Sequence, residues 1–405
     1  TYLFCNTINW LTRFGKSTTV LCTATQPVLD HLPKLGKGQL KLAERAELMG
    51  DAEQLKGLFE QLSRVNIEDH CQDGGWSLEQ TKDLILKEFE RTQSVLVIVN
   101  TKQWARQLFE ACQSGMDKSV FHLSTHQCAK HREVLLNRIK RRLKWGLPVL
   151  CISTQLIEAG VDVSFACVVR ALAGLDSVAQ AAGRCNRHGE QDKGRVLVIN
   201  LQNEHLQVLP DIQCGQLQVG RVFRELGQAE WLNPDAISLY FNYYFFDKGQ
   251  EEKLTYPLKE NKSSLLSWLS DNAQNNYLYK NDSRLRSKLV PLLMQSFRSA
   301  ARAFEAIDSP TQAVIVPYRR RGEAIVTELC AAWGEHPPRE LLREAQRYTV
   351  NVFPNMWKKL IEASKHNEVL HEINGTGIYY LNKTFYSDFF GLADEKVADM
   401  PTLNV

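Results

Sequence analysis

The run Ser94-Val-Leu-Val-Ile-Val99, closed by Asn100-Thr101 and followed by a helical pattern over 103–114, decides how the chain reads. A short apolar run rich in β-branched residues, bounded by turn chemistry and then a helix, is the mark of a buried strand in a parallel sheet. The alternation continues on both sides. Upstream, Ser77-x-x-Gln80 is a capping-box start for a helix reaching about Arg91. Downstream, a short strand, Val120 to Leu123, ends at Ser124-Thr125. A basic helix, Lys130 to Trp145, then leads to a strand over 149–153 that ends at Ser153-Thr154. Two further strands, 166–170 and 195–201, flank a helix predicted from Ser177 to Arg187. Residues 36–212 thus read as an α/β domain whose parallel sheet is flanked by helices. Hydroxyl and amide side chains recur at the strand carboxyl ends, where open parallel sheets bind ligands.

The flanks differ in character. Residues 1–35 read as the end of a preceding domain: a helix from Tyr2 to Phe14, a strand Thr18 to Cys22, then Thr23-Ala-Thr25-Gln-Pro27. Gly15-Lys16-Ser17 is a turn rather than a phosphate-binding loop, because Trp10 stands where that loop needs glycine and the strand follows the lysine instead of preceding it. Residues 213–310 form a helical connector. Its cluster Tyr240-Phe-Asn-Tyr-Tyr-Phe-Phe246 is apolar almost all round, as a buried helix is. Residues 311–405 read as a small α+β domain with strands at 313–317 and 348–353 and a hairpin turning at Asn374-Gly375. The chain opens on Thr1 inside an amphipathic stretch, as a segment of a longer polypeptide would.

Lys plus Arg number 49 against 46 acidic residues, a net charge of +3, so any nucleic-acid contact must be local. Ten cysteines form no CxxC pair and several lie in apolar runs, which fits reduced thiols in a cytoplasmic protein. The apolar runs fall short of a membrane span. His122, His126 and His131 with Cys128 match no compact zinc spacing, so no metal site is expected there. The helix from Lys130 carries a stripe of Leu135, Ile139 and Leu143. Its lysines and arginines suit either a solvated face or a nucleic-acid backbone.

Gln180-Ala-Ala-Gly-Arg184-Cys-Asn-Arg187 puts two arginines three apart behind a glycine. A guanidinium is charged at any working pH, and its planar fork can hold two phosphate oxygens at once. The spacing suits a nucleotide γ-phosphate approached from across a domain cleft. The alternative is a pair of arginines neutralised by Glu158 or Asp162.

Thr23 to Pro27 resembles helicase motif III, and Ile152-Ser-Thr-Gln-Leu-Ile-Glu158-Ala-Gly160-Val-Asp162 resembles motif V of superfamily two. Gln180 to Arg187 resembles motif VI. The wording of motifs V and VI together is similar to that of the CRISPR-associated helicase–nuclease of type I systems. His122-Leu-Ser124-Thr125-His126 resembles that family's additional DNA-contacting motif, and the segments 312–318 and 346–353 resemble its accessory C-terminal domain. The resemblance implies a RecA-like second motor domain in an ATP-dependent DNA helicase. It further implies Arg187 as arginine finger, Arg184 as a second phosphate contact, Gln180 orienting the attacking water or holding the adjacent loop, and Gly160 and Asp162 at the nucleotide. Ser124, Thr125, Ser153, Thr154, Asn100 and Thr101 would touch DNA phosphates, and Thr23 and Thr25 would couple the two sites. ATP with Mg²⁺, a transition metal in a nuclease domain, displaced single-stranded DNA and the surveillance complex Cascade, through its large subunit, are the implied cofactors and partners.

Departures limit the chain itself. The sequence holds no GxxxxGK[ST] loop, no apolar strand ending in Asp-Glu (Asp394-Glu395 lacks one), and no His followed directly by Asp. The expectation is that this segment supplies the arginines and the DNA loops, while phosphate loop, Mg²⁺ and nuclease metals are held elsewhere. The rival readings are a non-catalytic docking module for the surveillance complex and another superfamily-two DNA or RNA helicase.

Overall fold

Ser77 starts its helix as expected: its hydroxyl accepts from the Gln80 amide at 3.3 Å, and the Gln80 side chain accepts from the Ser77 amide at 3.0 Å. The structure, a computed structural model, describes residues 1–393 apart from 24, 34–36, 45, 114–118, 159, 227–230, 259–262, 282–283, 285–293, 306–310 and 332–337. In chain order, α1 (Tyr2–Arg13) and α2 (Ala52–Leu62) precede β1 (Val65–Asp69), α3 (Leu78–Thr92), β2 (Ser94–Ile98) and α4 (Lys102–Gln113). Next come β3 (Val120–Leu123), α5 (Ala129–Lys144), β4 (Val149–Ser153), β5 (Cys167–Ala171), α6 (Leu175–Ala182) and β6 (Gly194–Ile199). Helices α7 (Pro210–Leu226), α8 (Pro234–Phe246), α9 (Lys248–Lys253), α10 (Leu265–Leu269), α11 (Ala273–Asn281) and α12 (Phe297–Ala303) follow. The last part holds β7 (Gln312–Ile315), α13 (Arg319–Ala331), α14 (Arg339–Ala345), β8 (Thr349–Val352) and α15 (Pro354–Asn367), then β9 (Leu370–Glu372), β10 (Tyr379–Leu381), β11 (Tyr386–Ser387) and β12 (Gly391–Leu392).

Strands β1 to β6 form one parallel sheet in the order β1-β6-β5-β2-β4-β3. Val95, Val97, Leu150, Ile152 and Val169 point to one face and pack with Ile85 and Phe89 of α3 and Trp104, Leu108 and Phe109 of α4. Leu96, Ile98, Cys151 and Val168 on the other face are equally buried. Burial on both faces is why these strands read as continuous apolar runs. The α/β architecture expected from the alternation, a parallel sheet flanked by helices, is therefore present. The second sheet, β8-β7-β10-β9, mixes parallel and antiparallel pairs, and β9 and β10 form the hairpin whose turn holds Asn374 and Gly375 at φ 48° and 69°.

Two expectations fail locally, and one strand was not foreseen. Residues 18–22 form no strand, since a ladder needs a neighbour and no described strand lies against them. The helix carrying Gln180 ends at Ala182 rather than Arg187: Gly183 and Arg184 turn, Cys185 bridges to Phe165, and Asn186 takes φ 46°. The sheet edge β1 escaped notice because Val65-Asn-Ile-Glu-Asp69 is half polar, as an edge strand can be. Asp394-Glu395, Leu35 and Gly36, Ser114 and Ala159 lie outside the described residues.

The chain divides into two compact units. Residues 1–62, 174–176 and 213–308 form one; residues 63–173, 177–212 and 309–405 form the other. In the first, Tyr2, Cys5, Leu29, Leu32, Phe245, Leu254 and Leu266 share a core, so the aromatic α8 is core-forming, as its all-round apolarity implied. The second joins the parallel sheet to the C-terminal sheet.

Arg195 on β6 ties this second unit across its edge. Its guanidinium meets both Glu68 oxygens at 2.7 Å and Glu88 of α3 at 2.7 Å. The Glu68 carboxyl is pulled down to about 2, chiefly by Arg195 and less by His70, with burial opposing. A depressed carboxylate contributes stability that is present above its unfolded pKa and is lost as pH falls towards 2. Between pH 5 and pH 2 the wild-type melting temperature should therefore fall more steeply than that of Glu68→Gln, by the equivalent of roughly 2–3 kcal/mol. Parallel melting curves across that range would contradict the assignment.

Candidate nucleotide and nucleic-acid site

Strands β2, β4 and β3 lie side by side, with Ile98 opposite Ser153 and Ser153 opposite Leu123. Their carboxyl ends therefore bring Asn100-Thr101, Ser153-Thr154 and Ser124-Thr125 to one edge of the sheet, as the pattern implied. The side chains are mostly occupied. The Ser153 hydroxyl donates to the Thr154 carbonyl at 3.0 Å, the Ser124 hydroxyl accepts from the His126 amide at 3.2 Å, and Thr101 accepts from the Trp104 amide at the start of α4. Asn100 donates to the Leu172 carbonyl at 2.9 Å. Asn100, Ser124, Ser153 and Thr154 are buried, whereas Thr101 and Thr125 are half-buried and remain accessible.

The motif V segment leaves β4 through a tight turn, Gln155–Ile157, and reaches Gly160 at φ 71°, a conformation that suits a residue without Cβ. Arg184, 8% exposed, turns inwards: its Nε donates to the Ile157 carbonyl at 3.0 Å and its Nη2 to the Glu158 carbonyl. In this structure it fastens motif VI to the motif V turn. Arg187 lies outside the helix end, with its Nε 2.9 Å from Asp162 Oδ1; the two side chains are 42% and 67% exposed. Its Nη1 also donates to the Gly183 carbonyl at 3.3 Å. The outward guanidinium of motif VI is thus held by a solvent-facing carboxylate, which is the pairing with Asp162 that the sequence left as an alternative. Gln180 is half-buried on α6. Thr23 and Thr25 belong to the other unit, where the Thr23 hydroxyl donates to the Thr25 carbonyl at 3.0 Å in a local turn.

Beneath this edge lies an ion pair that sequence reading missed. Arg170 of β5, fully buried, has its Nε 2.9 Å from Glu158, which is 6% exposed, and its Nη1 donates to Asn100 Oδ1 at 2.7 Å. It joins β2, β5 and the motif V turn. The signal was present: one arginine inside Cys167-Val-Val-Arg170-Ala, an otherwise apolar run, needs a buried partner.

The three histidines do not converge, and among the described residues no group of three or more metal-ligating side chains does. His122 packs on Phe109 and Phe390 with Nδ1 3.3 Å from the Phe389 carbonyl; burial lowers it to about 4. His131 stacks on Tyr318 with ring centroids 4.2 Å apart, and burial lowers it to about 3. Both rings are neutral at ordinary pH. On α5, Lys140, Arg141 and Lys144 are exposed, while Ile139 is buried.

Residues 91–190 match the family described as CRISPR-associated nuclease/helicase Cas3, C-terminal. A CRISPR-associated nuclease/helicase Cas3 of Haloferax volcanii is 54% identical over 90 residues, which are 22% of this chain and 10% of that protein. One of Methanothermobacter thermautotrophicus is 31% identical over 100 residues, 25% of this chain and 12% of the relative. The crystal structure of T. fusca Cas3 with ATP superimposes with a TM-score of 0.49 at 14% identity, over 79% of this chain and 39% of that one. The chain thus covers about a tenth of the length of these curated relatives and well under half of the solved one.

Proposed function

We infer that a chain whose residues 91–190 are a Cas3-like C-terminal helicase segment supplies the second motor lobe of an ATP-driven single-stranded DNA translocase. In the complete protein this lobe works with a nuclease in the cytoplasm, is recruited by the CRISPR surveillance complex, and uses ATP and Mg²⁺ held mainly by residues outside this chain. What supports the reading is the state of Arg187, a half-exposed guanidinium held by the surface carboxylate of Asp162 and the Gly183 carbonyl. ATP closing the cleft offers it a more highly charged partner. Arg187 would then exchange Asp162 for the γ-phosphate, where its guanidinium would stabilise charge developing on the equatorial oxygens. Asp162, released, can accept from the ribose. Arg184 acts through the carbonyls of Ile157 and Glu158 and holds the motif V turn at the distance Arg187 requires.

The DNA would run along the edge formed by β2, β4 and β3. Contacts from hydroxyls and backbone amides position a strand without reading its bases, which a translocating motor needs. Thr125 is the half-buried threonine of the β3 loop, and Thr125→Ala in the full-length protein should weaken binding of single-stranded DNA about three- to tenfold, alike for different sequences. A hydroxyl releases no counterion, so the dependence on salt should keep its slope. Fluorescence anisotropy at several salt concentrations checks both, and unchanged affinity would remove the β3 loop from the DNA path.

A further inference from the structure

The loop after β3 is fastened by a distant part of the chain. Gln127, fully buried, accepts through Oε1 from the Ser124 amide at 3.0 Å and donates through Nε2 to the carbonyls of His122 at 3.0 Å and Phe389 at 2.7 Å. The Tyr386 hydroxyl accepts from the Cys128 amide at 3.1 Å and lies 2.9 Å from His131 Nδ1. The Leu392 amide donates to the His126 carbonyl at 2.9 Å. Gly391 takes φ 80°, and a Cβ there would meet that carbonyl oxygen at 2.2 Å. Phe389 packs tilted and Phe390 edge-on against Phe109 of α4, with ring centroids 5.9 and 5.4 Å apart. Tyr386, Phe389 and Leu392 thus hold Cys128, Gln127 and His126 in turn, and Gln127 carries the hold on to Ser124.

We propose that segment 386–392 is a brace for the β3 loop, with Tyr386 and Gln127 as positioning residues through which the C-terminal part of the chain sets that loop's hold on single-stranded DNA. This rests on the reading of Ser124 and Thr125 as DNA contacts. A surface loop must lose conformational freedom when it binds, and a loop fixed beforehand keeps that cost out of the binding step. The segment's hydrogen bonds fall on His126, Gln127 and Cys128, and Gln127 passes the hold to Ser124, so both chain neighbours of the half-buried Thr125 are fixed. A partner that displaced 386–392 would loosen the grip without touching the nucleotide site.

The test uses the full-length protein and an oligothymidylate. Tyr386→Phe removes one oxygen and keeps the ring. It should raise the DNA concentration giving half-maximal ATPase stimulation about three- to tenfold and leave the maximal rate unchanged. Amide hydrogen exchange should accelerate at residues 126–128 and not in β2 or β4. Gly391→Ala, acting through His126, should give the same split. If Thr125→Ala weakens DNA binding and Tyr386→Phe does not, the loop grips DNA without the brace and the proposal fails alone. A fall in maximal rate at constant half-saturation would make Tyr386 a merely structural residue and also overturn it. If neither variant changes DNA binding, the reading of the loop fails and takes the brace with it.

Discussion

Arg187→Ala in the complete protein should lower single-stranded-DNA-stimulated ATP hydrolysis by roughly 10³-fold or more, the effect of removing a guanidinium from a phosphoryl-transfer site. Folding and DNA binding should be nearly untouched. The Arg187–Asp162 pair joins two side chains 42% and 67% exposed, and such pairs contribute about 0–1 kcal/mol. The melting temperature should therefore move by no more than a few degrees. Arg187→Lys should not restore the rate, since a point charge on a flexible stem lacks the fork that spans two oxygens. ATPase and melting curves of the same preparations give both numbers. An alanine variant that hydrolyses ATP at the wild-type rate would reduce Arg187 to a surface residue.

The second large effect is expected on stability. Arg170→Ala leaves Glu158 buried without its guanidinium and Asn100 without its donor, and breaking a buried ion pair on one side typically costs about 3–5 kcal/mol. Urea unfolding of this variant should show that loss, and the motif V turn should loosen first because Glu158 belongs to it. The double variant Arg170→Met with Glu158→Gln removes both charges and should recover a large part of the stability, because neutral groups of similar length carry a smaller desolvation penalty. A single variant within about 1 kcal/mol of wild type would mean that the pair is not the anchor its burial indicates.

The central architecture was legible because its strands are buried on both faces. Val95 to Ile98 and Val149 to Ile152 have no polar side to disguise them, and the Ser77 capping box marked the start of α3 through local chemistry alone. What escaped was information carried by distant partners. Val65 to Asp69 becomes a strand through Gly194 to Val198, more than a hundred residues away, and Glu68 is acceptable there because Arg195 pairs with it. The end of α6 could not be read because the turn at 183–186 depends on the bridge from Cys185 to Phe165. The motif residues fell together on adjacent strand ends, yet their partners did not show. Arg184 spends its donors on two carbonyls of the motif V turn, and Gln127, Tyr386 and Arg170 carry no motif at all. Long-range side-chain chemistry leaves no periodicity to detect.

All of the motor reading depends on where one guanidinium goes when nucleotide arrives. A structure of the complete protein with a non-hydrolysable ATP analogue and single-stranded DNA measures it directly. Arg187 should have left Asp162 and lie about 3 Å from a γ-phosphate oxygen, with Arg184 still on the carbonyls of Ile157 and Glu158. A bound triphosphate with Arg187 still paired to Asp162, and no arginine of this chain at the phosphates, would contradict it.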